Sequence, residues 1–187
     1  MALLYVDEHN ASLNWGEVTS GETLHEGEFI VEQNDGTHAR FDPSSDSLPH
    51  GIIVHHPGPT SDALVADDET YVTNYDDLWT YDAGENFYWQ PLAAVDQIRP
   101  PTLSDNSTDP APSFGQGDVV GIVTINTQTE VVEEGYVDNG NTTYNESNNN
   151  FLAIGRVDKY PQELRIGSAF SQRLPVRLDA DIYTSSG

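Results

Sequence analysis

Short apolar, β-branched runs alternate along this chain with clusters of Gly, Pro, Asn, Asp and Ser. The clearest run is Gly117–Val123, Gly-Asp-Val-Val-Gly-Ile-Val. It reads as a buried strand opened by a turn pair, with Gly121 marking a bulge or a close backbone approach. Phe151–Val157, Phe-Leu-Ala-Ile-Gly-Arg-Val, has a related pattern, and Glu130–Val137 between them is a further strand candidate followed by a polar loop. The first half carries a looser version. Glu26-Gly27-Glu28-Phe29-Ile30-Val31 resembles Gln116-Gly117-Asp118-Val119-Val120, and Gly51-Ile52-Ile53-Val54 is placed like Ile154-Gly155-Arg156-Val157. The pattern predicts two copies of one β unit, each opening at Gly-acid-apolar-apolar and ending in a Gly-containing apolar strand.

The remaining segments fill in around these. Ala2–Val6 suits a short strand or an arm, and Glu8–Gly21 is polar and turn-rich with Trp15 as its large anchor. Leu24–Glu32 is a strand candidate. Gln33-Asn34-Asp35-Gly36 is a turn, because Asn and Asp-Gly supply positive φ, and Thr37–Phe41 is the return strand. Asp42–His50 is a loop, and Gly51–His56 is a strand stopped by Pro57-Gly58-Pro59. Asp62–Trp89 concentrates aromatic residues, whose bias favours strands over a helix. Pro91–Ile98 fits either one or two helical turns with Pro at the first position or an extended segment. Arg99–Ser113, with Pro100, Pro101, Pro110 and Pro112, is the best linker. Asp138–Asn150 is Asn-rich and expected to be an exposed, mobile loop. Leu174, Val176 and Leu178 alternate with Arg173, Arg177 and Asp179, the period of a half-buried strand. No window sustains a helical period. The fold class is therefore all-β, built from small β-barrel or β-sandwich modules in two repeat-like halves or merged into one fold. The expected organisation is an N-terminal β module with the aromatic segment over 1–98, a Pro-rich linker over 99–113 and a C-terminal β module over 114–187.

Charge changes this picture most. The 187 residues carry 31 Asp and Glu against 7 Lys and Arg, a formal net charge of −24. Such a surface repels itself in dilute buffer, and molar salt shortens the screening length to about 3 Å. Acids spread throughout the chain, a single Lys at 159 and normal aromatic content suit a protein that works in concentrated salt. Phosphate binding needs Lys and Arg to displace counterions, so direct nucleic-acid binding is not expected. Nor is membrane association: no basic amphipathic helix, apolar span or signal peptide is read. With no Cys, disulfides and thiolate chemistry are excluded.

Candidate chemistry is sparse. The six His, at 9, 25, 38, 50, 55 and 56, cluster in the first third. Adjacent His55 and His56 point to opposite faces of a strand, so scattered solvent-facing His is preferred to a metal site. Acidic pairs at Asp67-Asp68-Glu69, Asp76-Asp77 and Glu133-Glu134 are expected by chance in so acidic a chain. Asp138-Asn139-Gly140-Asn141 offers oxygens but places its Gly third, where an EF-hand loop needs it sixth, leaving only an irregular Ca²⁺ site open. No Gly-x-Ser-x-Gly elbow, Walker loop or dinucleotide fingerprint is present. Asn10, Asn106, Asn141 and Asn145 head Asn-x-Ser/Thr sequons. Neither an enzymatic activity nor a cofactor or metal is expected.

The repeated Gly-acid-apolar-apolar openings, the Gly-Ile-Val strand core and the alternating C-terminal strand resemble small β-barrel head-decoration (cement) proteins of tailed viruses. Joined to the acidic composition, the chain resembles a structural virion protein of a haloarchaeal tailed virus. The likeness covers Gly27–Val54 and Gly117–Asp181, and leaves Asp62–Trp89 outside. It implies a non-enzymatic protein on the capsid surface that binds the major capsid protein lattice and stabilises it, as a homo-oligomer, most often a trimer. Four of the six Arg fall at or after Arg156, and Leu164–Leu178 holds three of them with no carboxylate. That stretch supplies the expected interface, with Arg165, Phe170, Arg173 and Arg177 as contacts. The alternative is a carbohydrate-binding β module using Trp15, Trp79, Trp89 and Tyr81 as stacking platforms.

Overall fold

A computed structural model describes residues 13–46, 48–54, 80–98, 100, 109–110, 112–125, 127–158 and 174–179. The strands are β1 (Asn14–Glu17), β2 (Thr23–His25), β3 (Phe29–Glu32), β4 (His38–Arg40), β5 (Gly51–Val54), β6 (Thr80–Asp82), β7 (Asn86–Pro91), β8 (Gln97–Ile98), β9 (Val119–Ile125), β10 (Gln128–Glu133), β11 (Leu152–Val157) and β12 (Val176–Leu178). Single 3-10 turns lie at Leu92–Ala94 and Glu146–Asn148. The fold is all-β, as the apolar runs predict.

Two five-stranded sheets share one topology. The first runs β1-β7-β5-β3-β4 and the second β8-β12-β11-β9-β10, with every neighbouring pair antiparallel. In each, the second strand of the unit makes a hairpin with the third. The fourth then pairs on the second's other side, the fifth pairs with the fourth, and the first pairs with the fifth at the far edge. The opening turns match in detail. Gly27 and Gly117 sit at φ 85° and 87°, a region open to Gly because it lacks a Cβ. The Glu28 amide donates to the His25 carbonyl at 3.1 Å, and the Asp118 amide to the Gly115 carbonyl at 3.1 Å. The acid side chains then accept from the same backbone positions, Glu28 Oε2 from the His25 amide at 2.8 Å and Asp118 Oδ2 from the Gly115 amide at 2.7 Å. Gly27 and Glu28 exchange hydrogen bonds with Ile53 at 2.9 Å each, and Gly117 and Asp118 do so with Val157 at 2.8 and 3.0 Å.

The two units differ in what fills them. The first closes on itself: Val18, just past β1, bridges in parallel to His38 of β4, and the Thr19 amide donates to the His38 carbonyl at 2.9 Å. Its interior holds Val18, Ile30, Ile53, Phe87 and Trp89, plugged by Leu24 and Tyr81 of the separate β2–β6 hairpin. The second unit is filled by the first. Ile98, Val120, Ile122, Val131, Ile154, Val157, Leu174 and Val176 form one core with Phe29, Val31, Ala39, Phe41, Ile52 and Leu92. Val120 and Val157 occupy the repeat positions of Ile30 and Ile53. The inner face of the second unit therefore receives the outer face of the first. Burial of this kind stabilises by about 25 cal/mol per Å² of apolar surface. On the other side of β9, Val123, Ile125 and Val132 are covered by Tyr136, Tyr144 and Phe151.

Several expectations shift. The strand predicted over Leu24–Glu32 is two, because the turn at Glu26-Gly27 intervenes. Within the segment expected to be polar turns lies β1, held by Val18 rather than by Trp15, which is exposed. Pro91–Ile98 divides into a 3-10 turn and β8, and β8 pairs with β12 of the second sheet. The strand expected at Glu130–Val137 begins earlier and ends at Glu133. The Asn-rich segment is a hydrogen-bonded hairpin: Gly135 and Tyr144 amides donate to Tyr144 and Tyr136 carbonyls, and Asn145 caps the turn at Glu146–Asn148. Its Asn side chains cap and bridge locally; Asn148 and Asn150 both donate to the Thr143 carbonyl. Ala2–Val6, the aromatic positions before Thr80 and most of 99–113 lie outside the described residues.

Candidate functional site

A densely bonded polar group among the described residues is Glu28, immediately before β3. Its side chain is fully buried. Arg40 Nε donates to Oε1 at 2.7 Å and Arg40 Nη2 to Oε2 at 3.3 Å. The His25 amide donates to Oε2, and the His25 ring nitrogen Nδ1 lies 3.4 Å from it. The remaining bond crosses between the units: the Thr129 amide of β10 donates to Glu28 Oε1 at 3.1 Å, and the Phe29 amide donates back to Thr129 Oγ1 at 2.9 Å. Burial alone would raise the Glu28 pKa. The His25 and Arg40 hydrogen bonds and charges outweigh it and hold the carboxyl below its ordinary value. Two residues earlier, Glu26 is buried as well, and there burial pushes the carboxyl up to about 8. One sequence motif thus carries a charged buried acid and, at neutral pH, a largely protonated one.

His38 is the second buried polar feature. It is 4% exposed, with its ring edge-on to Phe87 at 5.6 Å and tilted against Trp89 at 5.3 Å. Burial holds its pKa below the ordinary value of 6.5. With His25 bonded to Glu28 and His38 enclosed, these two are not the solvent-facing His expected from sequence. His50 Nδ1 accepts the Glu32 amide at 3.0 Å, and His9, His55 and His56 lie outside the described residues.

Two open surfaces stand out among the described residues. A polar cleft of about 370 Å³ is lined by Val31, Glu32, Gln33, Asn34, Asp46, Leu48 and His50. On the outer face of the first unit Trp15 is 62% exposed and packs on Tyr88, ring centres 4.3 Å apart and planes 49° apart. Trp89 and Tyr81, which sequence offered as stacking platforms beside it, are buried in the barrel, and Trp79 lies outside the described residues.

Beneath the Asn-rich hairpin, Tyr136 donates to the Pro110 carbonyl at 2.7 Å and Tyr144 to Asp138 Oδ2 at 3.1 Å, while the Asn139 amide donates to Asp109 Oδ1 at 3.0 Å. Burial, and then Asp138 and Asp109, push the Tyr144 hydroxyl up to about 12. The Asp138 oxygens are taken by Thr142 and Tyr144 rather than left converging on an ion. Among the described residues no group of three or more His, Asp and Glu is placed to hold a metal.

Of the expected interface residues, Arg165, Phe170 and Arg173 lie outside the described residues. Arg177 is exposed on β12 and pairs with Asp158 at 2.9 Å. Val176 beside it is buried, so the predicted alternation places Arg177 outward. Sequence reasoning missed Glu28, Glu26 and His38. The signal for the first was present in the Gly-acid pair that opens each unit, but its partner Thr129 stands 101 positions away. No protein-family model, curated protein or solved structure matches the chain.

Proposed function

We propose that this chain is a non-enzymatic structural protein of a tailed virus living in concentrated salt, binding the capsid lattice and stabilising it from the virion surface. The observation that carries this reading is how the buried polar groups are used. Glu28, Arg40, His25 and Thr129 fasten one β unit to the other instead of lining an open cleft. A body knitted in this way suits a clamp that must transmit force between neighbours without deforming. The described residues on either side of the proposed contact segment are held in place, the Asp158 amide donating to the Pro175 carbonyl and the Leu174 amide to the Pro100 carbonyl. Arg165, Phe170, Arg173 and Arg177 are its proposed contacts, assembled as a homo-oligomer such as a trimer. Mixing the protein with capsids stripped of minor proteins, in molar NaCl, should give saturable co-sedimentation at fixed stoichiometry to the major capsid protein. Arg173→Glu with Arg177→Glu should weaken that binding while leaving the melting temperature nearly unchanged. Failure of the unaltered protein to sediment with capsids overturns the proposal.

A second reading, carbohydrate binding, is favoured by the exposed Trp15–Tyr88 pair. Among the described residues this pair of tilted rings offers one stacking position, where a polysaccharide module uses a row. Affinity electrophoresis on polysaccharide gels, with Trp15→Ala as control, distinguishes the two.

A further inference from the structure

We propose that His38 is a proton-operated latch on the seam that closes the first β unit. Among the described residues the seam is the join of the first unit with the fewest paired residues. Along β3 and β5 each strand has two partners, but β4 meets the end of β1 through one parallel bridge, Val18 to His38. The Thr19 amide crosses it to the His38 carbonyl at 2.9 Å, and further along the Arg40 amide donates to Glu22 Oε2 at 2.9 Å. The residue at this weakest join carries a buried imidazole, neither of whose nitrogens meets a partner at hydrogen-bonding geometry. An uncharged ring fits there as an aromatic disc. Gly16 of β1 leaves it room, since a Cβ at that position would come within 3.0 Å of Nδ1.

Protonation changes the balance. An imidazolium has two N–H donors and a charge, and here it faces Phe87 and Trp89 of β7. The charged groups around it do not compensate. Burial is the largest influence and opposes the charge; Glu32 on β3 favours it less strongly, His50 opposes it, and the Glu17 backbone on β1, close by but outside hydrogen-bonding geometry, favours it slightly. The cheapest way to hydrate the ring is to part β4 from Val18 and Thr19, since the β4–β3 ladder can stay intact. Acid therefore opens the seam and exposes the interior that Val18, Phe87 and Trp89 line.

The sign follows from linkage. A His whose folded pKa lies below 6.5 binds protons more readily when the seam is open. The opening constant should rise as pH falls through 6.5, approaching but not exceeding about tenfold per pH unit, until the pH reaches the lowered value of the closed state. Neighbouring acids do not mimic this. Glu26, at about 8, becomes protonated in the closed form as pH falls, which opposes opening, and the lowered pKa of Glu28 keeps it charged across the window.

The test is amide hydrogen exchange of the full chain in molar NaCl from pH 7.5 to 5.5, corrected for intrinsic rates. The Thr19 amide should show a higher opening constant at pH 5.5 than at 6.5, by up to about fivefold. The Val157 amide, bonded to Asp118 in the second unit, should stay level. His38→Gln should flatten the Thr19 profile. If that variant does not fold, NMR titration of the His38 ring in the unaltered protein decides. A ring that titrates at or above 6.5, a Thr19 amide indifferent to pH, or a His38→Gln variant that keeps the acid response overturns the latch.

Discussion

Gly121 lies in the middle of β9 with the Phe151 ring against it. A Cβ there would stand 2.5 Å from the ring's Cζ and 2.5 Å from the Leu152 carbonyl oxygen. The close approach expected from sequence is met by this ring, and the accompanying bulge lies in the partner strand, between Ala153 and Gly155. Because one of the two obstacles is backbone, rotating Phe151 away cannot relieve the contact. Gly121→Ala should cost about 1–3 kcal/mol in urea unfolding, and adding Phe151→Leu should recover only part of it. A Gly121→Ala variant as stable as the unaltered protein would mean the ring does not seat there. Glu26 makes a prediction of opposite character. Its folded pKa of about 8 lies above the ordinary 4.5, so the folded chain keeps a proton that the unfolded chain releases. Stability should fall as pH climbs from 4.5 toward 8, by up to about 4 kcal/mol. Glu26→Gln should flatten that slope and exceed the unaltered protein in stability at pH 8. Parallel pH profiles for the two proteins would place Glu26 in water.

At the scale of elements, the chain reads as one unit used twice, packed outer face to inner face. The repeat was legible because its opening turn is local: Gly supplies the positive φ and the next acid accepts from the amide three residues back. The β12 alternation was legible for the same reason. What could not be read depends on distant partners. β1 and β8 are short and polar, and they become strands only because β7 and β12 offer an edge. The clasp needed a Glu in one unit where the other has Asp: the extra methylene lets Glu28 bind the His25 amide and still reach Thr129. Arg40→Leu would leave that carboxylate buried beside His25 without its guanidinium. The expected cost is about 3–5 kcal/mol, and pairing it with Glu28→Gln should return much of the loss. Since the Glu28 pKa is lowered, its contribution is present above pH 4.5 and fades as acid protonates it; the double variant should lose that acid sensitivity. Additive costs in the double-variant cycle would show that the two side chains are not coupled.

For the whole molecule the largest electrostatic influence is self-repulsion, with 31 acids against 7 bases. The buried elements do not answer it. The Glu28–Arg40 pair is enclosed and little affected by salt, and the shared core of Phe29, Ile52, Val120, Ile122 and Val176 carries no charge. Salt therefore acts on the surface alone. Between 0.15 M and 3 M NaCl the screening length falls from about 8 Å to below about 3 Å. If relief of repulsion is worth about 3 kcal/mol, the melting temperature should rise by about 6–12 °C for a chain of this size. Screening depends on ionic strength and not on the identity of the cation, so KCl and choline chloride should reproduce the rise seen in NaCl. A rise only in salts excluded from protein surfaces, such as sulfate, would instead reflect tighter apolar burial. The Arg40→Leu variant should melt lower at every salt concentration but climb with the same slope, because the pair it breaks lies beneath the screened surface. A melting temperature that stays level from 0.15 to 3 M would remove concentrated salt as the working environment, and with it the argument from composition to a halophilic virion.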